Sequence, residues 1–199
     1  MPRKRILIIL AASVFGGIGL AAFWPGEREP EYNGKKLSEW LNQSSNREWD
    51  ESNSHTSKEI AAVRIIGTNA LDCLTKWVTY RPPMWVNTCA RTFDKLPQRF
   101  QNRRIMLWFY ELQYHRRQLA LRGFVILGAE GAVAVPKLLE VLKTTTSSQD
   151  QTAVLICLRA IGPAARAALP YLKELAASTN QSLATQANGV ISEISPRGW

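Results

Sequence analysis

The 199-residue chain is poor in the residues that most chemistry requires: it has two histidines, His55 and His115, and three cysteines, Cys73, Cys89 and Cys157. An odd cysteine count without CxxC spacing excludes a complete disulfide framework and does not resemble a zinc site. For Cys73 and Cys157 the simpler expectation is a core thiol on a helix. Glu111 and His115 stand at i, i+4, but a pair without further ligands is a helix-surface contact and not a metal site. HExxH, GxSxG, Walker A and GxGxxG patterns are all missing. The sequence therefore points to no catalytic residue, no metal ligand and no cofactor, and to a protein that is not an enzyme. With only 12 glycines and 10 prolines, and 21% charged residues, wholesale disorder is also excluded, while 46% apolar residues suffice for a packed core.

What is present is unevenly distributed. The net charge is +9, yet residues 81–122 hold nine cations against two anions, whereas 25–80 hold seven against nine and 123–199 six against five. The other cations open the chain: Arg3, Lys4 and Arg5 precede nineteen uncharged residues, Ile6 to Trp24. As a helix rising 1.5 Å per residue this run spans roughly 28 Å, close to the hydrocarbon thickness of a bilayer. Trp24 stands where an interfacial anchor would, and Pro25-Gly26 ends the helix. A cleaved signal peptide is the rival reading, but the apolar run is long for one, and cleavage after Ala22 would leave Leu20 at the −3 position. The reading favoured is an uncleaved anchor over 1–24. Cations before the span and Glu27, Glu29 and Glu31 after it favour an N-inside orientation, which puts the bulk of the chain on the extracytoplasmic, periplasmic side.

Residues 25–55 read as a linker with one short helix. Asn33-Gly34 marks a turn, Leu37–Leu41 a capped helix burying Leu37, Trp40 and Leu41, and 42–55 a polar loop. Thr56-x-x-Glu59 is a capping box opening a helix with Ile60, Val63 and Ile66 on one face. From there to residue 196 the chain repeats itself. Gly123–Leu142 matches Cys157–Leu175: Gly128 and Gly162 lie 34 residues apart, and so do Pro136 and Pro170, Leu138 and Leu172, Glu140 and Glu174. Ala61–Val78 is a third copy after a three-residue deletion, with Gly67 at the glycine position, Leu71, Leu74 and Trp77 on its second helix, and Asp72 in place of the proline. Leu183–Pro196 is a half copy that supplies a first helix and stops. In each unit a glycine ends the first helix with positive φ, and a proline opens the second where its missing N–H costs little. The alanines Ala164, Ala165, Ala167 and Ala168 permit close helix approach. A single hairpin cannot bury its apolar face, so the copies must stack.

These blocks resemble HEAT-type repeats, in particular the short LGxxAxxAVPxLxxxL variety common in bacterial proteins and named after phycobilin lyase subunits. Tyr32–Leu41 (YNGKKLSEWL), following a signal anchor, resembles the opening of a group of extracytoplasmic bacterial HEAT-repeat proteins. The resemblance covers 32–41, 56–78 and 116–196. It implies an all-α, short HEAT/armadillo-like helical-hairpin solenoid behind one N-terminal transmembrane or signal-anchor helix, with a repeat domain over 56–196.

An insertion at about 79–115 interrupts the array. Tyr80-Arg81-Pro82-Pro83 breaks the first unit, and 101–127 reads as one long helix or two closely joined ones, its second half serving the next repeat. Arg103, Arg104, Trp108, Arg116 and Arg117 lie on this stretch and are the candidate partner-binding residues. Basic residues among aromatics suit nucleic acid, an anionic surface or simply a solvated face over a core. The function expected is a membrane-anchored, non-enzymatic scaffold that binds a protein or peptide through its curved helical surface. A nucleic-acid binder using the Arg-rich 81–122 segment is the alternative, and an extracytoplasmic location argues against it.

Overall fold

The computed structural model describes residues 28–43, 54–82, 84, 88, 91 and 103–195, with side chains left out of the description at 54–57 and 103–114. The expected anchor over 1–24, the loop from 44 to 53 and positions 83, 85–87, 89–90 and 92–102 of the interruption lie outside these residues. What is described is mostly helical.

The chain enters through a two-residue hairpin. Strands β1 (Glu31–Tyr32) and β2 (Lys35–Lys36) pair antiparallel around Asn33 and Gly34, whose φ values are 49° and 72°. Two consecutive residues with positive φ are what a tight hairpin turn needs, and Asn-Gly is the pair that tolerates it best. The described part of the expected linker thus carries a hairpin, with its turn at the Asn33-Gly34 that the sequence marked. Helix α1 (Leu37–Gln43) follows at once, tied back by Leu37 N–H to the Pro30 carbonyl at 3.0 Å and Ser38 N–H to the Glu29 carboxylate at 3.1 Å. Leu37 and Leu41 are fully buried, whereas Trp40 stays half-buried, donating its ring N–H to the Tyr32 carbonyl at 3.1 Å.

Three helical pairs come next. The first is α2 (Ser54–Ile66) with α3 (Leu71–Val78), the second α4 (Arg103–Leu127) with α5 (Val135–Thr144), the third α6 (Ser148–Ile161) with α7 (Leu169–Ala176). Helix α8 (Gln181–Ile194) ends the described chain. Helix α2 begins two residues ahead of the Thr56 capping box. Helix α4 is a single continuous rod of 25 residues, about 37 Å long at 1.5 Å per residue.

Each pair is joined by a 3-10 turn that begins at a glycine with positive φ: Gly67 at 54°, Gly128 at 52° and Gly162 at 66°. A side chain would strain these positions. The turn in the first unit has four residues and those in the other two have seven, so the three-residue deletion falls wholly in the turn. The second helix of every unit therefore keeps its register, and Leu74, Leu138 and Leu172 are each 0% exposed. Pro136 and Pro170 stand exposed in the first turn of α5 and α7. Of the alanines in the third turn, Ala165 and Ala168 are buried and Ala164 and Ala167 face solvent.

The first helices pack in sequence, α2 on α4, α4 on α6 and α6 on α8, and the 3-10 turns of successive units touch one another. Helix α1 closes the beginning of the row against α2 and α4. One continuous core runs through the units, with Trp77, Phe124 and Leu158 among its largest side chains. Where α4 crosses α3 the approach is close enough that a Cβ on Gly123 would stand 2.6 Å from Leu74 Cδ2. The stretch Ser148–Ala176 is long and apolar enough by composition to cross a membrane. However, the chain turns at Gly162, Ala165 is non-helical, and Val154, Leu158 and Leu172 belong to the core. Part of this apolar stretch therefore serves the core.

Candidate interaction site

The basic stretch was the most individual feature of the sequence, and the structure divides its candidate residues into two sets. Arg103, Arg104 and Trp108 lie on the first two turns of α4, where only the backbone is described. Arg116 and Arg117 lie further along the same helix, where it packs against α3 and α6, and both have intramolecular partners.

Arg117 does not belong to an open cationic strip. Its side chain is only 15% exposed, and its guanidinium reaches Asp150 Oδ1 at 2.6 Å. Its Nε–H donates to the Val78 carbonyl at 3.0 Å, and a further N–H donates to Gln149 Oε1 at 3.4 Å. One side chain thus joins the end of α3, the middle of α4 and the start of α6. A planar fork of fixed donors suits that task in a way that a lysine would not. Arg116 lies over the Tyr80 ring, 5.0 Å from its centroid, in the geometry of a cation–π contact.

The centre of the arrangement is Asp150, whose side chain is 3% exposed. Ser147 caps α6 with its hydroxyl, accepting from the Asp150 N–H at 3.4 Å, and this places the aspartate in the first turn. Its Oδ2 accepts from Arg81 at 3.1 Å and from the Thr145 hydroxyl at 3.4 Å. An ionised carboxylate this far from water is stable only with such partners. Negative charge also suits a helix N-terminus.

Two further arginines act in the same way. Arg122 donates to the Leu41 carbonyl at 2.9 Å, fixing α1 on α4, and partial burial lowers its pKa from the ordinary arginine value. Arg64 Nε–H donates to the Ile126 carbonyl at 3.4 Å, from α2 to α4. The local basicity is therefore in part architectural: arginine forks cap carbonyls at helix junctions. Asp150 is the residue that the sequence did not single out, and Tyr80 and Arg81 stood out only as the break of the first unit. The signal available was Ser147-x-x-Asp150, which reads as a helix start.

Elsewhere the second helices carry exposed charge. Lys137 on α5 pairs with Asp72 on α3 at 3.1 Å, and Lys76, Glu140 and Glu174 occupy equivalent exposed positions on α3, α5 and α7. Arg159 on α6 pairs with Glu193 on α8 at 2.5 Å, and that contact raises the arginine's pKa. The two described cysteines are buried. Cys73 donates its thiol to the Arg28 carbonyl at 3.5 Å, and burial pushes the Cys157 thiol well above its ordinary range. The Cys157 thiol thus lacks the thiolate character that reactivity requires. Among the described residues no group of three His, Cys, Asp or Glu side chains is placed to hold a metal ion. No family model, no curated protein and no solved structure matches this chain.

Proposed function

We propose that this chain is a HEAT-like repeat scaffold, a short solenoid of helical hairpins that holds a protein or peptide partner beside a membrane. In this reading residues 1–24 are the anchor and the repeat domain lies on the extracytoplasmic side. The single observation that carries it is the coincidence of sequence and structural repeats: Gly67, Gly128 and Gly162 share positive φ while Leu74, Leu138 and Leu172 share full burial. Stacked hairpins of this kind present an extended surface and bring no reacting group of their own. The partner surface in this reading is the row of second helices, where Lys76, Glu140 and Glu174 repeat at one register. One lysine and two glutamates at that register, with both signs of charge on one row, suit a polar peptide segment more than a lipid or a phosphate backbone. The nucleic-acid alternative loses support from the internal use of Arg81, Arg117 and Arg122.

Two measurements on the full chain test this. A reporter fused after Trp199 reads which side of the membrane the repeat domain occupies, and the expected answer is extracytoplasmic. Photo-crosslinkers at positions 76, 140 and 174 should then give one common protein adduct in cells, while crosslinkers at Ala61 and Ile156 on the first helices should not. A cytoplasmic reporter, or adducts to nucleic acid from the first set, would replace this reading with the alternative.

A further inference from the structure

The chain is bound to the helical domain from Arg28 onward. The Cys73 thiol donates to the Arg28 carbonyl at 3.5 Å, Ser38 N–H to the Glu29 carboxylate at 3.1 Å and Leu37 N–H to the Pro30 carbonyl at 3.0 Å. Only Pro25, Gly26 and Glu27 therefore separate this attachment from Trp24, the last residue of the apolar run. Four steps of extended chain span at most about 14 Å. The hairpin at this end has two unlike faces, since residues paired across two strands share one face and their neighbours take the other. Tyr32 and Lys35 form the inner pair: the Tyr32 ring lies 6.4 Å from that of Trp40, and Lys35 Nζ stands 4.8 Å over the Trp40 ring. Glu31 and Lys36 form the outer pair, and both are exposed.

We propose that the outer face of the β1–β2 hairpin rests on the headgroups of a zwitterionic lipid surface, held there by the short tether and not by an affinity of its own. The inference rests on the reading of residues 1–24 as a membrane anchor. If that run spans the bilayer, a domain already bound at Arg28 has no leash, and its hairpin end is the part that must lie nearest the lipid. Glu31 beside Lys36 gives that face one charge of each sign, so it meets a neutral surface without net attraction or repulsion. The half-buried Tyr32–Trp40 pair behind it is of the residue types that settle at a headgroup boundary. The far end of the row stands off. Packed helices lie about 8–10 Å apart, so α8, three steps along from α2, is roughly 24–30 Å further on.

The test places a small fluorescent amino acid at Lys36, or at Asn188 on α8, in the full-length protein reconstituted into phosphatidylcholine vesicles; both positions are exposed. A nitroxide carried on the headgroups should quench the probe at 36 several-fold more than the probe at 188, at low and at high sodium chloride alike. A Gly/Ser insert of about ten residues after Gly26 adds roughly 17 Å of mean reach. It should remove most of the quenching at 36 while the protein still floats with the vesicles. Full-length protein that fails to float overturns the anchor reading, and the proposal with it. Protein that floats but is quenched no more at 36 than at 188 overturns the proposal alone. So does quenching at 36 that high salt abolishes or that the insert leaves unchanged, since either would mean that the hairpin holds lipid by its own affinity.

Discussion

Residues 128–194 and the junction at 78–122 are held together by different chemistry. In the first region regular units lie 34 residues apart and cohere through leucines at equivalent positions, with charged pairs such as Arg159–Glu193 left on the surface. In the second, arginines cross from helix to helix and end on backbone carbonyls and one buried acid. Apolar contact is non-directional and tolerates exchange of similar shapes, so it suits a motif copied along a chain. A guanidinium on a carbonyl is directional and fails when either partner moves. Where the regular spacing of the array is broken, directional bonds take over the task of holding register.

That contrast is broken most severely at Asp150. Replacing it with alanine leaves Arg117 largely desolvated without its counter-charge, and the loss expected is about 3–5 kcal/mol in chemical denaturation. A change of under about 1 kcal/mol would mean that the junction is held by its apolar neighbours alone. Truncating Leu138 or Leu172 to alanine comes next, at about 2–5 kcal/mol each, because both side chains are fully buried between units. The two sites are equivalent by repeat, so their losses should be similar. A gap of more than about 2 kcal/mol between them would show that the third unit, next to the end of the array, is held less firmly than the second.

The same contrast explains how far the sequence could be read. Apolar periodicity and glycine spacing are local signals, and they located the helical pairs, the deletion in the first turn and the burial of Leu138 and Leu172. Asn33-Gly34 carried the hairpin as plainly, but the polar residues around it suggested a linker. The junction was illegible for a different reason. Arg117 and Asp150 are separated by 33 residues and Arg81 and Asp150 by 69, and neither periodicity nor a motif links such positions. A run of cations looks the same in sequence whether it faces solvent or caps carbonyls. The candidate binding residues split accordingly: Arg117 is an internal staple, Arg116 holds Tyr80, and Arg103, Arg104 and Trp108 stand on the first turns of the same helix, where the backbone alone is described.

The smallest effect expected is the most informative about whether the first unit is a true copy of the others. Asp72 stands where the other units have Pro136 and Pro170, in the second position of its helix. A proline there fits a first-turn position, where the absent N–H has little to lose. It normally disfavours helical geometry in the residue before it. Yet Val135 and Leu169 precede their prolines with φ of −54° and ψ of −45° and −43°, and Leu71 has φ −61° and ψ −36°, so the backbone is already of the tolerated kind. Asp72→Pro would lose the exposed pair with Lys137, worth about 0–1 kcal/mol. It would also restrict the unfolded chain, which favours folding by about 0.4–1 kcal/mol. The two offset, and a net change within about 1 kcal/mol is expected in urea denaturation. A loss above about 2 kcal/mol would show that the shortened turn uses the residue 72 N–H in a way the longer turns do not. The first unit would then be a variant with its own backbone requirements, held in register by the turn as well as by Leu74.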